Sequence, residues 1–303
     1  MKTLLLATTL LAASATLAHA QAVTITGEGR MGLMYTSGGA GWSTENRLTL
    51  NFNVAVQADH GLSFGAWTRA RINSSGTSLV GPGPDGLPGT ADDVVTRGGL
   101  FSGSRVWVEA SGLRLTFGNV DGALATAGTS HGWLGGCMIG YEGGTLCGDA
   151  VGLYTVAHQE QSTSGQAAAL TMVSYTAGNY TVAVSDLDGV STEIGARATF
   201  GAVTVAAGFT TLGDVWTVSG HYTGGAWGVG AIVASNAVAT NWALSGTANL
   251  GGGTLYAYVG REFGADAFGL SYGYGLGGGA TLTVGGERVG ATTVASVGVA
   301  FNF

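Results

Sequence analysis

The run Val23-Thr24-Ile25-Thr26-Gly27-Glu28-Gly29-Arg30-Met31-Gly32-Leu33-Met34-Tyr35-Thr36 repeats with a period of two. Val23, Ile25, Met31, Leu33 and Tyr35 fall on one side of an extended chain; Thr24, Thr26, Glu28, Arg30 and Thr36 fall on the other. Side chains of a strand point alternately to its two faces, so this run has one apolar and one polar face. The next run repeats the pattern, with Leu48, Leu50, Phe52, Val54 and Val56 opposing Arg47, Thr49, Asn51, Asn53 and Gln57. Further strands are expected at about 62–74, 104–111, 113–119, 168–177, 180–186, 192–200, 203–211, 215–223, 226–235, 240–249, 254–262, 266–275, 280–288 and 292–303. With the first two this makes roughly sixteen, most near the ~10 residues that a tilted strand needs to cross a bilayer. Asp59-His60-Gly61, Gly112 and Gly201-Ala202 read as tight turns, whereas 37–46, 75–103 and 120–167 read as long connections. Short turns at one end and long loops at the other are the wiring of an antiparallel transmembrane barrel.

The same alternation would suit a soluble β-sandwich with its apolar face inward. Composition argues against that. The 303 residues include 56 glycines, only 10% are charged, and Lys2 is the only lysine. A soluble surface normally carries many Lys and Glu, and some sixteen apolar faces would overfill one sandwich core. Lipid outside and water inside explain both faces. Aromatic residues near strand ends on the apolar face, among them Tyr35, Phe117, Tyr180, Phe200, Trp216 and Trp227, suit the two interfacial girdles of such a barrel. A formal charge of -7 opposes nucleic-acid binding, which needs a basic face.

Met1-Lys2, the apolar stretch Leu4 to Leu17 and Ala18-His19-Ala20 read as a secretory signal over 1–20, leaving 21–303 as one barrel domain. In an oxidising compartment Cys137 and Cys147, close together among glycines, are expected to bond and contribute about 2–3 kcal/mol. Two free thiols are the alternative.

Several motifs now bear comparison with a known family. Gly29-Arg30-Met31-Gly32-Leu33-Met34-Tyr35 resembles the opening strand of alphaproteobacterial general porins, the Gram-negative outer-membrane porins of the Rhodobacter type. Asn46-Arg47-Leu48-Thr49-Leu50-Asn51 resembles their second strand, and Gly61-Leu62-Ser63-Phe64-Gly65-Ala66 their next turn and third strand. Leu115-Thr116-Phe117-Gly118-Asn119-Val120-Asp121 resembles the strand feeding their inward loop, and Val297-Gly298-Val299-Ala300-Phe301-Asn302-Phe303 their last strand with its terminal Phe. The resemblance implies an all-β, sixteen-stranded antiparallel transmembrane β-barrel with a long loop folded into the lumen, here 120–167. It also implies an outer-membrane homotrimer in contact with bilayer lipid and lipopolysaccharide, and a water-filled channel for passive diffusion of ions and small polar solutes. The chain departs from the family in the glycine-rich, cysteine-bearing third loop and in the insertion-like stretch 81–93.

A pore selects by its width and by the field at its narrowest point. Parity puts Arg30, Arg47, Arg69, Arg71, Arg105, Arg114 and Arg197 on the polar face with Glu28, Glu109 and Glu193. By resemblance, Arg30, Arg47, Arg69, Arg71 and Arg114 are the candidates for a basic wall at the constriction, and Asp121, Glu142 and Asp149 for the acidic residues of the inward loop. Trp67 and Trp107 share the lumen parity. No cofactor is required. Asp85, Asp92 and Asp93 sit in a Gly/Pro-rich loop that could hold Ca²⁺ through oxygen ligands, a solvated acidic loop being the competing reading. No catalytic motif stands out, so an enzyme is not expected. A substrate-specific channel, or a barrel acting through its loops as an adhesin, anchor or hydrolase, is the alternative.

Overall fold

The computed structural model describes residues 22–39, 41–73, 79–81, 94–96, 100–129, 158–161, 170–262 and 264–303. Its body is a closed barrel of 16 antiparallel strands. In chain order they are β1 (Ala22–Thr36), β2 (Gly41–Gln57), β3 (Ser63–Asn73), β4 (Arg105–Ala110) and β5 (Leu113–Gly118). Then come β6 (Leu170–Ala177), β7 (Tyr180–Leu187), β8 (Ser191–Phe200), β9 (Val203–Thr210), β10 (Val215–Thr223) and β11 (Trp227–Ser235). The last are β12 (Thr240–Leu250), β13 (Gly253–Glu262), β14 (Ala265–Gly277), β15 (Ala280–Val289) and β16 (Thr292–Asn302). Each strand pairs with the next, and β16 pairs back onto β1 from Glu28↔Asn302 to Thr36↔Val294. Closure satisfies every ladder internally, which hydrocarbon demands of a sheet that crosses it. Next to β4, Leu100–Phe101 continues the pairing with β3, and Leu79–Gly81 pairs antiparallel with Val94–Thr96 as a separate two-stranded sheet.

One expected connection is corrected. Residues 37–46 are not a long loop, because β1 runs to Thr36 and β2 begins at Gly41. Ser43-Thr44-Glu45-Asn46 is loop-like in composition, yet it alternates across the sheet. Glu45 is buried on the inner face, while Trp42 packs outside on Tyr35, its register partner, at 5.5 Å. The genuinely long segments at that end are the two that follow β3 and β5. Turns at the opposite end are tight and use the left-handed backbone, as at His60 (φ 64°) and Gly112 (φ 81°).

The faces separate as lipid and water require. On β8, Ile194 is 53% exposed on the outside, while its neighbour Glu193 is fully buried within. Tyr180–Phe200, Tyr222–Trp227 and Phe301–Phe303 make an outer aromatic row at the tight-turn end. Tyr35, Trp42 and Trp216 lie outside at the other end. Arg261 and Arg288 have outward parity, but each is the penultimate residue of its strand. An arginine facing lipid at the bilayer midplane would cost about 2–4 kcal/mol, and near the interface almost nothing. At the β1–β16 seam, Gly27 and Gly29 lie directly under the rings of Phe303 and Phe301, so a side chain at either glycine would collide with a phenyl ring.

Candidate functional site

The inward face of β1–β5 collects cations. Arg30 and Arg47 are register partners on β1 and β2, and both engage Glu28, with Arg47 Nη2 at 3.3 Å. On the far side of β2, Thr49 pairs with Arg71 and Asn51 with Arg69. Four of the five expected wall arginines therefore stand on three neighbouring strands. Arg105 on β4 joins them: its guanidinium lies 4.1 Å from the centre of the Trp67 indole, and Arg69 lies 5.5 Å from the same ring. Such stacking holds a guanidinium in place without neutralising it. The fifth expected residue, Arg114, sits nearer the Ser111–Gly112 turn, opposite Glu109 in register. There its Nε donates to Glu109 at 2.6 Å and its guanidinium stacks on Trp107 at 4.3 Å. Trp107 can lie flat because its register partner is Gly65, where any Cβ would collide with the indole.

A different wall receives the segment that follows β5. Residues 124–128 form one π-helical turn against the inner faces of β7, β8 and β9. Ala123, Leu124 and Ala127 are fully buried. The wall makes room for them with glycine, since a Cβ at Gly195 would collide with Ala123 O and one at Gly208 would lie 2.5 Å from Leu124 Cδ1. Polar contacts fasten the turn: Arg197 Nη2 donates to Thr126 O (2.7 Å) and Thr217 Oγ1 to Gly128 O (2.9 Å). The returning stretch 158–161 lies alongside, where Gly122 N–H donates to Gln159 O (3.0 Å) and Gln161 N–H to Asp121 Oδ1 (2.9 Å). Asp121, the expected loop acid within the described residues, acts electrostatically on Arg105, and Arg105 reaches Gln161 Oε1 at 3.4 Å. The wall cations and the base of this segment are thus electrostatic neighbours.

Glu142 and Asp149, Cys137 and Cys147, and Asp85, Asp92 and Asp93 lie outside the described residues, as does the expected secretory signal over 1–20. Among the described residues no three His, Cys, Asp or Glu side chains stand together as a metal site would require. Parity alone had already put Glu193 in the lumen, but gave no hint that it holds the segment. Gln159 carried no signal, being one polar residue in the aperiodic His158-Gln159-Glu160-Gln161. A third inward group joins side chains of two strands that are not adjacent, which the pattern along either strand does not show. There Tyr258 donates from its hydroxyl to Glu287 Oε2 (2.7 Å), crossing Gly269, which lies between them in register.

The Gram-negative porin family matches residues 7–295. Among solved structures, a triple mutant of the Rhodopseudomonas blastica porin is similar, with 23% identity, 93% of this chain and 100% of that chain covered, and a TM-score of 0.74. A form of the same porin with other substitutions is similar at 24% identity, the same coverage and a TM-score of 0.72. No curated protein gives a significant match. A closed barrel with apolar outside and charged bore, and a family match over nearly its whole length, lead to one conclusion: the chain belongs to the Gram-negative porin family, the outer-membrane barrels through which small solutes diffuse passively.

Proposed function

We propose that this porin is a general diffusion channel for ions and small hydrophilic solutes, narrowed by the segment 120–167 and working as a homotrimer, with no enzymatic activity of its own. The observation that carries the reading is the junction of the arginine wall with the base of the inward segment, where Gln161 accepts from Arg105 Nη1 at 3.4 Å and donates its N–H to Asp121 Oδ1 at 2.9 Å. Opposed charges across a narrow bore set a transverse field that orients dipolar solutes and tunes ion preference without a saturable binding site. The lumen acids Glu28 and Glu109 bind arginines, and Glu193 binds backbone amides, as struts rather than as acid–base pairs poised on a substrate. The relatives support this reading as channels of the same fold.

Two measurements test it. In planar bilayers the purified protein is expected to give ohmic conductance steps that close in groups of three. In liposome swelling, sugars are expected to enter at rates that fall smoothly with size. A silent barrel, or uptake that saturates for one sugar, would overturn the general-channel reading. The cysteine pair is proposed to be bonded, which predicts that neither thiol is labelled before reduction. The aspartates 85, 92 and 93 are proposed as a Ca²⁺-responsive loop, and a trypsin-cleavage pattern at Arg97 identical with Ca²⁺ and with chelator would refute that.

A further inference from the structure

We infer that Glu193 is the positioning residue that pins both legs of the 120–167 segment to the barrel wall, so that one buried carboxylate fixes the working width of the bore. This rests on the diffusion-channel reading above.

The geometry is specific. Glu193 is fully buried on the inner face of β8. Its Oε2 accepts the backbone N–H of Leu124 on the outgoing leg at 2.9 Å, and its Oε1 accepts the backbone N–H of Gln159 on the returning leg. Thr210, fully buried, is its register partner on β9. Charge-assisted bonds to backbone amides are among the stronger hydrogen bonds. Here one acceptor group ties two points 35 residues apart in sequence.

A second tier closes the clamp. Gln159 is 2% exposed. Its Nε2 donates to Ser191 O (2.8 Å) and Ser191 Oγ (3.0 Å), and its Oε1 accepts from Ser185 Oγ at 2.6 Å. Ser185 Oγ in turn accepts the N–H of Ala123 at 2.7 Å. Gly122 is the residue that lets the legs approach, since a Cβ there would run into Glu193 Oε2 and lie 2.6 Å from Gln159 Cβ. Two wall side chains, Glu193 and Ser185, thus accept the amides of Ala123, Leu124 and Gln159, which would otherwise be buried bare, while the Gln159 side chain ties the returning leg to Ser191; the arrangement is costly to break and unnecessary if the segment were free to swing.

The experiment compares wild type with Glu193→Ala, Glu193→Gln and Ser185→Ala in full-length barrels. Single-channel recordings, sugar size cut-off in liposomes and protease cleavage between residues 129 and 157 are measured on each. Glu193→Ala removes both charge-assisted hydrogen bonds and is expected to raise the frequency of current fluctuations by about tenfold or more, a factor that even one such bond carries. It should also admit sugars that wild type excludes and speed cleavage of the segment. Glu193→Gln, which turns one acceptor into a donor facing an amide, should fall between. Ser185→Ala should show the same changes more weakly. Heat-modifiable gel migration should be unchanged in every variant, separating loosening of the segment from loss of the barrel. Quiet currents, wild-type cut-off and wild-type cleavage in Glu193→Ala would overturn the inference. If that variant does not fold, the same result in Glu193→Gln and Ser185→Ala overturns it. Because cleavage needs no current, a barrel that fails to conduct defeats the channel reading and still leaves the clamp to be judged.

Discussion

On β1–β4 the inward positions hold Arg30, Arg47, Arg69, Arg71 and Arg105, with Arg69 and Arg105 stacked on Trp67; on β8 and β9 the corresponding face holds Glu193, Gly195 and Gly208. Both walls face the same bore, and in both the outer parity is apolar. The first spends its inner positions on long, permanently charged side chains held by stacking and by Glu28. The second is cut back to small residues so that backbone from 122–128 can lie on it, with Glu193 as a fastening. The difference teaches that a lumen is not one environment. Charge is displayed where water is to feel it, and volume is removed where chain is to be seated.

The contrast is broken most severely by filling the seat. Gly195→Val would drive a side chain into Ala123 O and Gly128 N. Overpacking of that kind costs roughly 1–3 kcal/mol, enough to shift the segment from its seat about tenfold. The expected outcome is a larger sugar cut-off in liposome swelling with the barrel intact. Stripping charge from the other wall comes next. Arg69→Ala with Arg71→Ala should raise the cation-over-anion permeability ratio by about fivefold, the factor that ~1 kcal/mol of charge interaction in water carries. Reversal potentials across a KCl gradient check this, and unchanged potentials would place the selecting charges elsewhere. Removing an aromatic support is milder: Trp107→Ala uncovers Gly65 and takes the ring from under Arg114, which keeps its bond to Glu109. It should lower barrel stability by about 1–2 kcal/mol, read as a lower urea midpoint, with little change in selectivity. Least of all should follow from Arg288→Gln. On the outer rim this charge faces neither wall, and both stability (within about 0.5 kcal/mol) and reversal potential should stay at wild-type values.

Strands were legible in the sequence because lipid and water impose opposite demands at every other residue; Ile194 beside Glu193 is enough to orient β8. The start of β2 was not, because Ser43 to Asn46 are individually loop-like and are held in the sheet by their partners on β1. Parity likewise put the arginines on one face but could not say which would meet. That Arg105 stacks on Trp67, while Arg114 retires to a turn with Glu109, depends on the stagger between neighbouring strands, which a one-dimensional pattern does not carry. The clamp was least visible of all. Ser185, Glu193 and Gln159 are ordinary polar residues whose importance comes only from long-range contact.

The rings of Phe301 and Phe303 over Gly29 and Gly27 have a bearing on biogenesis. Gly27 and Phe303 also exchange both backbone hydrogen bonds, at 2.9 and 3.1 Å. The clasp that joins the cylinder is therefore built from the first and last strands of the barrel, and nothing local can substitute for it. Until the last strand has been delivered, the first strand keeps a naked flank, a hazard for a slow-folding, high-contact-order sheet. A nascent molecule caught before that moment is an open ribbon with two adhesive borders, and whatever escorts it to the bilayer has to shield both until they find each other.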